Sequence, residues 1–169
     1  VPHHKTNANY LLKPNDMKKF LLTLLAVFAV TCAANAQKGS VGAGVDFNFG
    51  TKLSNVGFGV KLMYGFTNNF RGEASFDAFF EAKHQKVWDL NFNGHYLIKV
   101  APKMNFYPLA GLTILHDNAG DGFTRVGANI GAGLEYYVTS DLTIGLEAKG
   151  QLLKDFSQAV VGIGATYHF

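Results

Sequence analysis

The sequence predicts an all-β fold: an eight-stranded antiparallel up-and-down barrel built from residues 37–169. Three observations predict it. Eight segments, each of about ten residues, alternate apolar with small or polar side chains, which is the period of a half-buried strand. Polar turn clusters such as Thr67-Asn68-Asn69 and Thr139-Ser140-Asp141 separate them. No helical period appears after Gln37.

The chain in front of the barrel reads differently. Residues 1–16 carry no apolar periodicity and are read as an upstream segment, with Met17 as the start. Lys18 and Lys19 precede a nearly continuous apolar run over residues 20–31, and Ala34-Asn35-Ala36 follows. The run is too short for a membrane-spanning helix, which needs ~20 residues. Residues 17–36 therefore read as a helical secretory signal peptide, with Ala34 and Ala36 at the recognition positions and cleavage before Gln37. Thr31 before Cys32 is larger than lipoprotein processing normally accepts.

Charge supports that division. Lys5, Lys13, Lys18 and Lys19 against Asp16 account for the whole net charge of +3. The segment from Gln37 onward is balanced, so the basic character is no argument for nucleic acid. Cys32 is the chain's one cysteine and lies in the leader, which excludes a disulfide or a thiolate metal site in the barrel.

The strands follow in order. The first, about 40–49, presents Val41, Ala43, Val45, Phe47 and Phe49 on one face. The second, about 56–66, presents Val56 to Phe66 at alternate positions. The third presents Phe70, Ala74, Phe76, Ala78 and Phe80, and the fourth Trp88, Leu90, Phe92, Tyr96 and Ile98. The fifth, about 105–115, presents Phe106, Ala110, Leu112 and Ile114. The sixth runs from Val126 to Val138, the seventh from Leu142 to Leu152. The eighth, from Ala159, ends on Tyr167 and Phe169. At ~3.3 Å per residue and a tilt near ~45°, such strands cross an apolar band of roughly 25 Å. Turns at 67–69, 99–104 and 139–141 are assigned to the periplasmic side. Longer loops at 51–55, 82–86, 116–125 and 154–157 are assigned to the outer side.

Two barrels fit this alternation, a soluble one with apolar side chains inside and a membrane one with them outside. Three features favour the membrane. Aromatics gather at strand ends, as interfacial girdles do: Tyr64, Phe66, Phe70, Tyr96, Phe106, Tyr136, Tyr167 and Phe169 at one end, Phe47, Phe49, Phe58, Phe80 and Trp88 at the other. The opposite face is rich in glycine, which weakens a solvated strand but leaves space in a narrow lumen. Charges match those spaces. Pairing Val138 with Leu142 sets Glu147 opposite Gly133, Lys149 opposite Gly131 and Glu135 opposite Gly145. In the hairpin around Asn68, Lys61 lies diagonal to Glu73 and Asp77. Leu134 and Ile144 are placed at mid-bilayer on the lipid face.

The leader, the alternation and the ending with Gly164, Tyr167 and Phe169 together resemble the small eight-stranded outer-membrane barrels of the OmpA/OmpX-like family. Residues 107–112 (Tyr-Pro-Leu-Ala-Gly-Leu) and 89–96 (Asp-Leu-Asn-Phe-Asn-Gly-His-Tyr) are similar to recurring strand texts of that group. The resemblance implies a bacterial outer-membrane location and a monomer held in outer-membrane lipid, lipopolysaccharide included. It also implies that the barrel-insertion machinery reads Gly164, Tyr167 and Phe169 as a C-terminal signal. No peptidoglycan-binding domain follows the barrel here, and the outer loops are shorter than in OmpX-like members.

The chemistry-bearing residues are few. His84 and Ser157 sit at the outer rim, where barrels resembling lipid-modifying enzymes place such groups, but no spacing joins them in a triad. His95 and His168 point inward. Residues 117–122 faintly resemble a calcium loop, yet Ala119 and Ala128 stand where ligands are needed, so a glycine turn is the reading. No cofactor, metal or enzyme activity is expected. The strongest constellation is an ion network in the lumen: Asp46, Lys61, Arg71, Glu73, Asp77, Glu135, Glu147 and Lys149. It suits a plugged barrel with a structural or interaction role. A narrow porin-like channel for ions or small solutes is the alternative, and an outer-leaflet lipid-modifying enzyme a second one.

Overall fold

The computed structural model describes residues 39–82, 84–118 and 120–169. The upstream segment and the signal peptide, with Ala34, Ala36 and Gln37, lie outside the described residues.

Nine strands form: β1 (Val41–Gly50), β2 (Asn55–Gly65), β3 (Phe70–Ala82), β4 (Gln85–Tyr96), β5 (Ile98–Ala101), β6 (Met104–Asp117), β7 (Phe123–Tyr137), β8 (Leu142–Leu152) and β9 (Gln158–His168). Their order is β4-β3-β2-β1-β9-β8-β7-β6, and β6 pairs back onto β4 and closes the wall. β5 is a short continuation of β4 beyond Leu97 that pairs with the start of β6. The wall therefore has the expected eight strands, every neighbouring pair antiparallel. Closure gives each of the eight wall strands a partner on both sides, the condition for a sheet to cross a bilayer, and the short β5 extension pairs with β6 alone.

The predicted registers form. Val138 N donates to Leu142 O at 2.9 Å, and Gly133 pairs with Glu147, Gly131 with Lys149 and Gly145 with Glu135. Lys61 pairs with Ser75, which sets it diagonal to Glu73 and Asp77. The faces also fall as predicted. Phe47, Leu62, Phe92, Ile130 and Ile163 are exposed on the outside, while Asp77, Asp89, Asn91 and His95 are fully buried inside. That is the reverse of a soluble barrel and follows from a hydrocarbon solvent.

Three details differ from the sequence reading. The strands run further than expected at the outer end. Three outer loops shrink, to 51–54 and to the short links between Ala82 and Gln85 and between Asp117 and Phe123, while the fourth lengthens by one residue to 153–157; none is much longer than the periplasmic turns at 66–69, 102–103 and 138–141. Polar residues such as Asp117 and Arg125 read as loop but extend the strands, because they pair with each other across β6 and β7. Ile144 is not at mid-bilayer. It pairs with Tyr136, at the level of the periplasmic aromatic ring, and Leu134 lies one rung further in, beside Leu146.

The aromatic ends are built from cross-strand contacts. Phe47 meets Phe58 edge-on at 5.6 Å, and Trp88 stacks on His116 at 5.3 Å. At the periplasmic end Tyr64 meets Phe66 at 5.1 Å and Tyr167 meets Phe169 at 5.0 Å.

Candidate functional site

The lumen is filled in three layers. Period-two alternation sends every second side chain inward, and glycines on facing strands make room for the long ones. A Cβ at Gly164 would strike the Asp46 carboxylate, one at Gly59 that of Asp77, and one at Gly133 the Tyr107 ring. The glycine face and the charged face are thus one surface, with Gly164, Gly59 and Gly133 as sockets for Asp46, Asp77 and Tyr107.

At the outer end the filling is apolar. Phe79, Val87, Leu115, Leu153, Phe156 and Val160 form a buried cluster, with Leu53 packed against it. Leu153 and Phe156 come from the β8–β9 loop, which turns into the mouth. The guanidinium of Arg125, paired with Asp117, lies 5.5 Å from the Phe156 ring centroid.

Below this cap lies an amide layer. Gln151 donates to Asp89 Oδ2 at 2.8 Å and accepts from Gln158 at 2.7 Å. Asn129 donates to Asn91 and Asn93 at 2.9 Å each. Asn91 in turn donates to Asp89 at 2.6 Å and Asp77 at 3.0 Å, while Asn48 donates to the other oxygen of Asp77 at 2.9 Å. These bonds satisfy carboxylates whose burial without partners would be costly.

The ionic layer comes next, and the structure brings together all eight predicted residues. Lys61 holds Asp46 at 2.7 Å. Arg71 holds Glu135 at 2.6 Å, and Asn105 donates to the same carboxylate at 2.9 Å. Lys149 lies 3.7 Å from both Asp77 and Glu147. Tyr107 donates to Glu147 at 3.1 Å, stacks on His95 at 4.6 Å and lies under the Arg71 guanidinium at 4.9 Å. Glu73 accepts from Asn93 at 3.0 Å and faces His95 Nε2 at 3.8 Å.

Below Arg71 the lumen widens into a vestibule of about 210 Å³ at the periplasmic end, walled by Ser40, Met63, Tyr137 and His168 among others. His168 stacks on Tyr137 at 6.0 Å and meets Thr143 at 3.2 Å.

Sequence reasoning placed His95 and His168 inward but left Asp89, Asn91, Asn93, Tyr107, Asn129 and Gln151 out of the network. The available signal was the alternation itself: Asp89, Asn91, Asn93 and His95 are the off-face of Trp88, Leu90 and Phe92. At the rim, Ser157 bonds the backbone of Leu153 through its hydroxyl, accepting at 3.1 Å and donating at 2.8 Å. His84 sits on the β3–β4 turn with φ 62°. In the segment that faintly resembles a calcium loop, Asp117 is paired with Arg125, and Gly120 and Gly122 take left-handed φ of 61° and 78°.

Residues 20–169 match the outer membrane protein beta-barrel domain family, and the chain belongs to that family. Its location is accordingly the bacterial outer membrane. The fold is that of known barrels. The N-terminal barrel domain of Pseudomonas aeruginosa OprF superposes with a TM-score of 0.66 at 20% identity, covering 77% of this chain and 97% of that one. Neisserial surface protein A gives 0.58 at 15% identity, with 79% and 98% covered. Ail, the attachment invasion locus protein of Yersinia pestis, gives 0.54 at 18% identity, with 78% and 97% covered. At these identities the likeness is one of fold. No curated protein sequence matches the chain.

Proposed function

We propose that this outer-membrane barrel keeps its lumen shut and serves a structural or interaction role, not transport or catalysis. The observation that carries this reading is the contact between Lys149 and Asp77 at 3.7 Å. The two residues stand on β8 and β3, four strands apart in either direction around the eight-stranded wall. One ion pair thus spans the lumen. Eight strands leave an interior that side chains just fill. The apolar cap formed with Leu153 and Phe156 closes the same passage a second time. Breaking a buried pair by removing one partner costs roughly 3–5 kcal/mol, so the passage has no cheap way open.

The Ser157 hydroxyl, engaged by its own loop backbone, supports a non-catalytic rim. The barrel then works as a monomer in outer-membrane lipid, lipopolysaccharide included, delivered by the insertion machinery through Gly164, Tyr167 and Phe169. Its contacts with other molecules fall to the short outer loops.

Single-channel recording of the refolded protein in a planar bilayer tests this. The expected record is silent, with brief openings appearing only once Asp77→Ala and Lys149→Ala are combined with Phe156→Ala in the outer cap. Steady openings of the unaltered protein that change with Lys61→Ala or Arg71→Ala would overturn it in favour of a narrow channel.

A further inference from the structure

The buried charges of the lumen do not balance. Lys61 is taken by Asp46, Arg71 by Glu135, and Lys149 is divided between Asp77 and Glu147. Glu73 has no cation of its own among the described residues, and Glu147 has only its share of Lys149. These two carboxylates converge on one imidazole. One ligand atom each from Glu73, His95 and Glu147 lies within 4.8 Å of the others. His95 is fully buried, and its Nε2 and the Oε2 of Glu73 lack any hydrogen-bond partner. Orphaned buried polar atoms are rare because each costs its full desolvation.

We propose that Glu73, His95 and Glu147 form a binding site for a divalent transition metal of the zinc type inside the lumen. One imidazole and two carboxylates leave a coordination position for water, and carboxylate with imidazole suits such an ion. The ion would add positive charge where Glu73 has no lysine or arginine within ion-pair distance among the described residues and Glu147 shares Lys149 with Asp77. Ligands at ~2.1 Å from zinc sit closer together than 4.8 Å, and the flexible Glu side chains supply the closure.

Arg71 governs access. It walls the periplasmic vestibule, and its Nε donates to His95 Nδ1 at 3.2 Å. That bond places the imidazole proton on Nε2. When Arg71 turns its Nε away, the ring proton moves to Nδ1 and the Nε2 lone pair becomes the ligand. The turn pivots on the bond from Arg71 Nη1 to Glu135, so the vestibule side of His95 is uncovered without breaking that ion pair.

The test uses the full chain, refolded in detergent and stripped with a chelator, with Zn²⁺ and Co²⁺ as probes. One equivalent per barrel is expected against a competing chromophoric chelator, with visible Co²⁺ absorption. Glu73→Gln, His95→Gln and Glu147→Gln each lower the affinity by more than about tenfold, and His168→Gln does not. Heat-modifiable gel mobility reports which variants fold. In nitrogen-15 spectra of the unaltered protein Zn²⁺ also shifts the His95 ring nitrogens, a readout that needs neither a variant nor reagent access to the buried ring. A folded barrel that binds no stoichiometric metal, or binds it equally well in all three variants, or leaves the His95 ring signals unmoved, would overturn the proposal. A conducting barrel would overturn the closed-lumen reading and leave this site standing.

Discussion

Gly133 and Tyr107 show what one missing side chain does inside the barrel. The Tyr107 ring occupies the place of a Gly133 Cβ, and from there it reaches Glu147 and stacks on His95. Gly133→Val should therefore expel the ring and cost about 1–3 kcal/mol of overpacking, read by urea unfolding from lipid vesicles. Gly150 faces lipid with ordinary space around it, its nearest neighbour Ile130 O at 3.7 Å. Gly150→Ala should be neutral or mildly stabilising in the same assay. Arg71 is the other sensitive position, because it serves Glu135, His95 and Tyr107 together. Arg71→Met leaves the Glu135 carboxylate buried without its cation and should cost about 3–5 kcal/mol. Adding Glu135→Leu should recover part of that loss.

At the scale of the element, depth along a strand decides what a substitution costs. On β7 the exposed Ile130 stands midway between Val126 near the outer end and Tyr136 at the periplasmic girdle. An arginine at mid-bilayer costs roughly 2–4 kcal/mol, and one near the interface roughly 0–1. Ile130→Arg should show the first value and Ile144→Arg, beside Tyr136, the second. Equal losses at the two positions would contradict the depth assigned to both strands. The β8–β9 loop is the element whose role alternation hides. Leu153 and Phe156 lie outside any strand, yet both are buried in the outer cap.

The whole molecule depends on one closing seam. β1 and β9 are far apart in sequence, and their pairing from Gly42–His168 to Gly50–Val160 turns a sheet into a barrel. Ala165 pairs with Val45 on one side and Ile144 on the other. Proline there removes a ladder hydrogen bond in a strand paired on both sides. Ala165→Pro should block closure, so that unheated protein migrates on a gel like heated protein. Substitution at the outer loop position Asp155 should leave the compact, fast-migrating form intact.

Alternation alone specifies which residues face lipid and which face inward. A strand's period is two, and one misplaced residue would bury every charge in hydrocarbon. That is why the eight strands, the Val138–Leu142 register and the charged set around Lys61 and Lys149 were legible in the chain. Three things were not. The outer cap needs Leu153 and Phe156 to fold back from a loop, and no local pattern announces that. The amide layer joins Gln151 to Asp89 and Asn129 to Asn91 and Asn93 across non-adjacent strands. The convergence of Glu73, His95 and Glu147 likewise draws on β3, β4 and β8. A hairpin register is set by nearby turns, so neighbours on consecutive strands can be counted from the sequence. Contacts across a lumen are set by closure and by the stagger of all the strands together. They exist only once the wall has closed, so the tertiary structure alone decides them.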